Sequence, residues 1–387
     1  MSRSLPENAF WLLPSLTGFR NVHYHARILT ISISSSSRTF CLHRQRKAPI
    51  PVFPQIPLHS SSRRQALLAL VGSLLLLVAP AVATALQITG LQAPQSFLAD
   101  PSGEQYFISN VNGDQDLKDN NGFITKLDQD GKLVKLQFIR GGEGQTILHA
   151  PKGMAIVGQV LYVADLDMVR GYDKSTGQPV VTVSFANHAK AAQGQNTALA
   201  DLVHDGHGLL YASDTNANTI YRINTTKQHA VSVLVRDATL AGPRGLAVHP
   251  KTGHLIVVSW DKGKILEVSG DGVITELVSN SFFSSRFRNL DGVDFDQWGN
   301  MYVSDFTTGK IWRMRPDHHF DVIAEFLPSP ADIAVDRTKH LILVPYLYGN
   351  AAEMNGLESP VKSQGKKRTL ADYGFSAPKP STEGQPR

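Results

Sequence analysis

Six polar residues near the start of short apolar segments have the greatest potential for chemistry in this chain. They are Gln95, Lys152, Asp201, Arg244, Asp291 and Asp332. Three carboxylates, two cations and an amide, if brought together, could bind a small polar ligand, and the carboxylates could supply oxygen ligands to a divalent cation. The same residues could also neutralise one another as ion pairs around a water-filled channel. The sequence leaves both interpretations open.

Two aromatic residues extend this candidate site. In several repeated segments a second apolar stretch ends in Asp, as at Asp165 and Asp305, whereas Trp260 and Tyr346 stand at that place in two others. An Asp at a strand end commonly accepts hydrogen bonds from loop amides, so we interpret the repeated Asp residues as structural. Because Trp260 and Tyr346 depart from the pattern, we predict that they form an aromatic wall against a ligand.

A repeat that runs through the body of the chain positions these residues. Its units start at residues 94, 151, 200, 243, 290 and 330, so they are 40 to 57 residues apart. Each unit offers short segments rich in Val, Ile, Tyr and Phe that are bounded by Gly, Asp and Asn, which is typical of strands. Four strands at such a period correspond to one propeller blade. We therefore predict an all-β fold, a six-bladed β-propeller of four-stranded blades over residues 86–356.

The sixth unit lacks a convincing outer strand, and residues 87–91 could supply one. This N-terminal strand would close the ring and remove the exposed edges of a linear array. The long insertions, at 110–122, 141–150, 187–199 and 279–289, all fall on the face that carries the six polar residues. Insertions gathered on one side of a repeat protein usually mark its binding face. We refer to this side as the long-loop face.

Residues 62–85 have the parts of an export signal. Arg63 and Arg64 precede an apolar run over 66–78, and the small residues 83–85 form a cleavage site. The arginine pair suggests twin-arginine export. Cleavage would start the mature chain near Leu86, and only an uncleaved signal would hold the protein at a membrane.

Residues 1–61 allow two interpretations. They are rich in Ser and Arg and nearly free of acidic residues, as transit peptides are, which would direct the protein to the thylakoid lumen. Alternatively, the start was assigned too far upstream in a bacterial protein that is secreted or periplasmic. Residues 357–387 are rich in Pro, Ser, Gly and Lys and are expected to be a disordered tail.

Charge and cysteine content exclude several classes of function. The chain of 387 residues carries a formal charge of +5, but residues 1–85 hold nine basic residues and one acidic residue. The body is therefore mildly acidic, which argues against a nucleic-acid partner. The single cysteine, Cys41, lies in the leader, so the mature chain has no disulfide or thiol nucleophile.

Two stretches resemble blades of the senescence marker protein/gluconolactonase family: Pro243–His249 with Leu255–Ser259, and Leu290–Asp305. Residues 151–165 also resemble an NHL repeat. The resemblance implies a six-bladed β-propeller. It also implies hydrolysis of lactones with a divalent cation, such as calcium, held by Glu, Asn and Asp.

In this comparison Asp291 matches the metal-binding Asp. Gln95 and Arg244 stand where the family has Glu and Asn, and a guanidinium among the ligands would repel a cation. Asp201 and Asp332 could instead build a different oxygen site with Asp291.

These observations lead to two hypotheses. In the first, the protein is an exported, monomeric propeller that binds a small polar molecule or a protein partner at the long-loop face and the channel mouth. In the alternative, it is a divalent-cation-dependent hydrolase of lactones or related esters, with Asp291, Asp201 and Asp332 holding the metal. Whether the protein is an enzyme stays open at the level of sequence.

Overall fold

A computed structural model describes residues 85–185, 197–280 and 286–357. It confirms the all-β prediction, because the strands form six antiparallel sheets of four strands each, arranged as a six-bladed propeller. The described ranges contain a single short 3₁₀ helix, Ala238–Leu240. None of their helices is long and apolar enough to cross a membrane.

The strands of each blade are numbered in chain order from the channel outwards. Blades 1 to 3 consist of β2 Pro94–Ala99, β3 Gln105–Asn110, β4 Phe123–Asp128 and β5 Leu133–Arg140; β6 Pro151–Val157, β7 Val160–Asp165, β8 Met168–Asp173 and β9 Pro179–Ser184; β10 Leu199–His204, β11 Leu209–Asp214, β12 Thr219–Asn224 and β13 Ala230–Arg236.

Blades 4 and 5 follow the same order. They consist of β14 Pro243–Val248, β15 Leu255–Ser259, β16 Ile265–Val268 and β17 Ile274–Val278; and β18 Leu290–Phe295, β19 Met301–Asp305, β20 Lys310–Met314 and β21 Phe320–Ala324.

Blade 6 combines both ends of the described chain. Its sheet has the order β1 Leu86–Thr89, β24 Ala351–Gly356, β23 Leu341–Tyr346 and β22 Ala334–Asp336. The sixth unit of the repeat starts at residue 330, but its inner strand, β22, starts only at Ala334. The reason is that Asp332 pairs with blade 1 instead: its amide donates to the Gln95 carbonyl at 2.9 Å, and its carbonyl accepts from the Phe97 amide at 3.3 Å.

Apolar side chains of neighbouring blades form the core. One cluster joins Phe97, Tyr106 and Ile108 of blade 1 to Leu343 and Met354 of blade 6. Similar clusters lie between the other pairs of blades, for example around Phe287 and Trp312. Because each blade buries its side chains mainly against its neighbours, the ring rather than the blade is the stable unit.

The inner strands approach each other closely around the channel. A Cβ atom added at Gly153 would overlap Asp201, one at Gly245 would overlap the Asp291 carbonyl, and one at Gly292 would overlap the amide of Ile333. The strands of adjacent blades can therefore come this close only where a side chain is missing.

The Asp and Asn residues that end the second strands hold the loops of the long-loop face. Asp165 accepts from the amides of His149 and Ala150, both at 2.9 Å, and Asp214 accepts from Ala198 and Ala217, both at 3.1 Å. Asp305 accepts in the same way from Arg288 and Thr308. The structural interpretation of these repeated residues is confirmed.

Candidate functional site

Irregular pairing at the start of the inner strands aims side chains into the channel. The register with the second strand breaks between Pro151 and Met154, and equivalent breaks occur in blades 3, 4 and 5. Residues inside the break, such as Lys152 and Gly153, have no partner on the second strand. A bulge of this kind re-aims the side chains that it contains. Polar residues at these places therefore meet around the channel.

A small cavity of about 80 Å³ marks the channel mouth on the long-loop face. Its walls are formed by Gln95, Gln115, Arg244, Trp260, Phe306, Leu347 and Tyr348. The Arg244 guanidinium lies over the Trp260 ring at 4.2 Å from the centroid. The Phe306 ring lies 5.2 Å from Trp260 and 5.5 Å from Tyr348, centroid to centroid. We call this space the mouth cavity; it has an aromatic wall next to a cationic side chain.

Asp291 is the hub of the polar groups beside the mouth cavity. The Gln95 amide nitrogen lies 3.4 Å from each of its carboxylate oxygens, and Arg244 Nε lies 3.2 Å from Oδ1. Burial raises the pKa of Asp291, while the charges of Arg244 and Lys152 and the hydrogen bond from Gln95 oppose that rise. The carboxylate is thus buried between donors, as a buried anion requires.

Lys152 is the buried cation of this group. Its side chain is almost fully enclosed, with 6% of the residue exposed. Burial is the main cause that lowers its pKa to about 8, and the neighbouring charge of Arg244 acts in the same direction. Asp116, Asp291 and Asp165 favour its charged form. Nevertheless, no side chain or carbonyl of the described residues accepts a hydrogen bond from its ammonium group.

Two further polar atoms at the mouth cavity also have no hydrogen-bond partner among the described residues. They are Gln95 Oε1 and Arg244 Nε, and both are buried. Arg244 Nε is close enough to Asp291 for an ion pair, but it does not meet hydrogen-bond geometry. Buried polar groups are usually paired, so unpaired atoms at a cavity indicate a group that another molecule completes.

Asp201 and Asp332 lie one position further along their strands than the other predicted residues. They occupy the places that Gly153, Gly245 and Gly292 hold in other blades, and they line a second cavity of about 450 Å³ further down the channel. The six polar residues therefore form two levels rather than one ring. Aligning Leu199–Leu202 with Pro243–Leu246 by their apolar residues would have shown this offset from sequence.

The carboxylate of Asp201 has clear structural partners. It accepts from the amides of Leu202 at 2.6 Å and Leu246 at 2.7 Å, so it ties blade 3 to blade 4. Burial outweighs these hydrogen bonds and raises the pKa of Asp201 to about 7. Burial and the nearby charge of Asp201 likewise raise the pKa of Asp332. Both carboxyl groups therefore bind protons more readily than ordinary aspartates.

Tyr346 does not lie at the mouth cavity, although Trp260 does. The Tyr346 ring is buried in the core shared by blades 5 and 6, and its hydroxyl donates to Glu353 at 2.8 Å. The aromatic wall uses Tyr348 instead, which is 71% exposed. Tyr348 follows the strand by two residues, in the turn that leads to β24, and alternation along a strand places Tyr346 on the core side.

The residues around Asp291 do not favour a divalent cation at the level of the mouth. Its oxygens face the donors Gln95 Nε2 and Arg244 Nε, and a guanidinium next to a cation is repulsive. In the part of the chain that the structure describes, no group of three His, Cys, Asp or Glu side chains is arranged to hold a metal ion.

Comparisons with known proteins show the fold only. No family model and no curated protein sequence matches the chain. A protein of unknown function from Bacteroides thetaiotaomicron superposes with a TM-score of 0.53 at 13% identity, covering 68% of this chain and 69% of that one. Virginiamycin B lyase from Staphylococcus aureus superposes with a TM-score of 0.50 at 11% identity, covering 71% and 99%. The chain thus shares a six-bladed propeller with a lyase, and identity this low carries no statement about its chemistry.

Proposed function

We propose that this protein is a binding propeller that holds a small polar ligand in the mouth cavity. The observation that carries the proposal is the meeting of an aromatic wall with buried polar atoms that lack partners. Trp260, Phe306 and Tyr348 can pack against the body of a ligand, and Arg244 and Gln95 can fix its polar groups. Such a combination is typical of small-molecule sites.

A protein partner is the second form of this proposal. The exposed Tyr348 ring and the long loops could receive a protruding side chain of another protein, with the rest of that partner resting on the long-loop face. The mouth cavity is small, at about 80 Å³, so either partner would insert only a compact group. We propose that the propeller itself acts as a monomer.

The proposal is tested by a ligand screen read by thermal unfolding, because a ligand that binds only the folded state raises the midpoint. Compounds that stabilise the wild-type protein are retested on Trp260→Leu, with Trp298→Leu as control. Trp298 stacks on His340, away from the mouth cavity, at a centroid distance of 5.2 Å. We expect the stabilisation to be lost only in Trp260→Leu. Ligands that stabilise both variants like the wild type would contradict the proposal.

The alternative is a cation-dependent hydrolase of lactones or related esters, as the resemblance to the senescence marker protein/gluconolactonase family implies. It is favoured by the two carboxyl groups, Asp201 and Asp332, that share the larger cavity. Including millimolar calcium in the same screen separates the hypotheses. A midpoint shift by calcium that Asp332→Asn abolishes would support this alternative over the binding propeller.

We further propose that the protein is exported. The leader over residues 1–61 and the signal up to residue 84 lie outside the described residues. The N-terminal sequence of the protein purified from its native compartment tests this directly, because cleavage after Ala85 would leave Leu86 as the first residue.

A further inference from the structure

We infer that the group recognised at the channel mouth is a small carboxylate, bound by Lys152 and Arg244, with an adjacent hydroxyl or amino group that donates to Gln95. This inference rests on the proposed function and names its ligand class. A 2-hydroxycarboxylate such as glycolate has this chemistry in its smallest form.

The charges of the buried groups favour an anionic ligand. Arg244 lines the mouth cavity, Lys152 is close enough for the two positive charges to interact, and Asp291 brings one negative charge 3.2 Å from Arg244. Asp291 is thus engaged by Arg244 and Gln95, whereas Lys152 is enclosed without an acceptor from the described residues. Asp165 is already taken by Arg170 Nε at 2.5 Å. The charges of Asp116, Asp165 and Asp291 act on Lys152, but none of these carboxylates accepts a hydrogen bond from it, so an anionic ligand can supply that bond.

The hydrogen bonds of Gln95 indicate that the ligand also carries a donor. Its amide nitrogen points to Asp291, so its carbonyl oxygen points away and lies buried beside the cavity without a donor. A carboxylate has only acceptors and cannot satisfy this oxygen. A ligand that also carries a hydroxyl or amino group can satisfy it.

The position of the blade 1 loop and the volume of the mouth cavity limit the ligand to a compact group. Gln115 lines the mouth cavity, and the next residue, Asp116, interacts with the charge of Lys152. The loop of blade 1 therefore lies at the cavity and near enough to the lysine for their charges to interact. A cavity of about 80 Å³ has room for a carboxylate and little more, while the ligand body would rest on the exposed Tyr348.

The test is calorimetric titration of the full-length protein with sodium glycolate, sodium acetate and sodium chloride at equal ionic strength. Equal ionic strength removes general screening from the comparison. The variants are Lys152→Met, which keeps the apolar stem, and Lys118→Met as the matched control. Lys118 is an exposed lysine on the same face and pairs with Asp167 at 2.7 Å. A third variant, Gln95→Leu, removes the acceptor for the hydroxyl.

We expect glycolate to bind more tightly than acetate, and chloride not to compete. Lys152→Met should lower the affinity for glycolate roughly tenfold or more, because it removes a hydrogen bond between charged groups. Lys118→Met should leave this affinity unchanged. Gln95→Leu should make the affinities for glycolate and acetate equal.

Two results would overturn the inference: unchanged glycolate affinity in Lys152→Met, or binding of chloride as strong as that of the carboxylates. Neither result decides the proposed function. If neutral compounds still stabilise the protein in a Trp260-dependent way, only the ligand class assigned here is wrong.

Discussion

At the scale of single residues, Lys152 is the residue that leads us to propose a binding site rather than a structural ion pair. A lysine that served stability would have an acceptor, as Lys174 does in its buried pair with Asp100 at 2.7 Å. Lys152 has none among the described residues, and its pKa is lowered to about 8. A group that costs stability in the absence of a ligand is typical of a functional site.

Because the buried charge of Lys152 destabilises the folded protein, removing it should raise the free energy of unfolding. Lys152→Met should be more stable than the wild type at pH 7 by about 3 kcal/mol, because the shift in pKa from 10.5 to about 8 measures the penalty on the charged form. Between pH 8 and 10.5 the unfolded chain binds more protons than the folded one at this site. Deprotonation of Lys152 therefore raises the free energy of unfolding of the wild-type protein as the pH increases from 8 to 10.5.

The measurement is urea unfolding of both proteins at pH 7 and pH 10, with Lys118→Met as control. The advantage of Lys152→Met should shrink at pH 10, and the control should match the wild type at both values. A loss of stability in Lys152→Met at pH 7 would show that the ammonium group has a partner.

Three of the seven residues that line the mouth cavity could be predicted from the sequence, but the arrangement of the six polar residues could not. Gln95, Arg244 and Trp260 were found because they stand at repeated positions, and repeated positions map to one end of the channel. The one-position offset of Asp201 and Asp332 is present in the sequence, but the bulge that sets the direction of the side chains in the inner strands leaves the pattern of apolar residues unchanged. Tyr348 was missed because it lies in a turn outside the repeat.

At the scale of elements, the close approach of the inner strands sets the geometry of the channel. Gly292 belongs to the repeat as the residue after Asp291, and it lies against the backbone of Ile333 in blade 6. Because backbone cannot move aside as a flexible side chain can, the absence of a Cβ at this place is a requirement of the fold. Since Asp291 directly precedes Gly292, the close approach of the two strands also brings Asp291 to the channel.

Gly292→Ala should therefore destabilise the protein by about 2 kcal/mol or more, as overpacking does. The matched control is Gly270→Ala, since a Cβ at Gly270 meets no atom within 4 Å and its φ is not in the left-handed region. This control should be neutral or slightly stabilising. Urea unfolding of both variants decides the matter. Equal stabilities would mean that the inner strands are less closely packed than described.

At the scale of the whole molecule, contacts between the first and last blades join the two ends of the propeller. β1 pairs with β24 through four residues, from Leu86 opposite Met354 to Thr89 opposite Ala351. At the other edge of the same sheet, Asp336 of β22 accepts a hydrogen bond from the Tyr106 hydroxyl of blade 1 at 2.6 Å. The number and order of blades followed from the repeat in the sequence. The direct pairing of Asp332 with blade 1 did not, because it breaks the repeat.

Ile88 provides the test of the contribution of β1. Its side chain is buried in the cluster that blades 1 and 6 share, whereas Gln87 beside it is exposed. Ile88→Ala should reduce the free energy of unfolding by about 2–4 kcal/mol, and Gln87→Ala by less than about 0.5 kcal/mol. Thermal and urea unfolding measure both. If Ile88→Ala is as stable as Gln87→Ala, the N-terminal strand does not hold the ring together.

Fluorine NMR of the protein labelled with 5-fluorotryptophan shows whether a small polar ligand binds at the mouth cavity. The Trp260 resonance is assigned as the one missing from Trp260→Leu, and glycolate and the stabilising compounds of the screen are then titrated. We expect the Trp260 resonance to shift with saturation, while the resonances of Trp298 and Trp312 stay in place. Binding that moves the other resonances and leaves that of Trp260 unchanged would contradict this expectation.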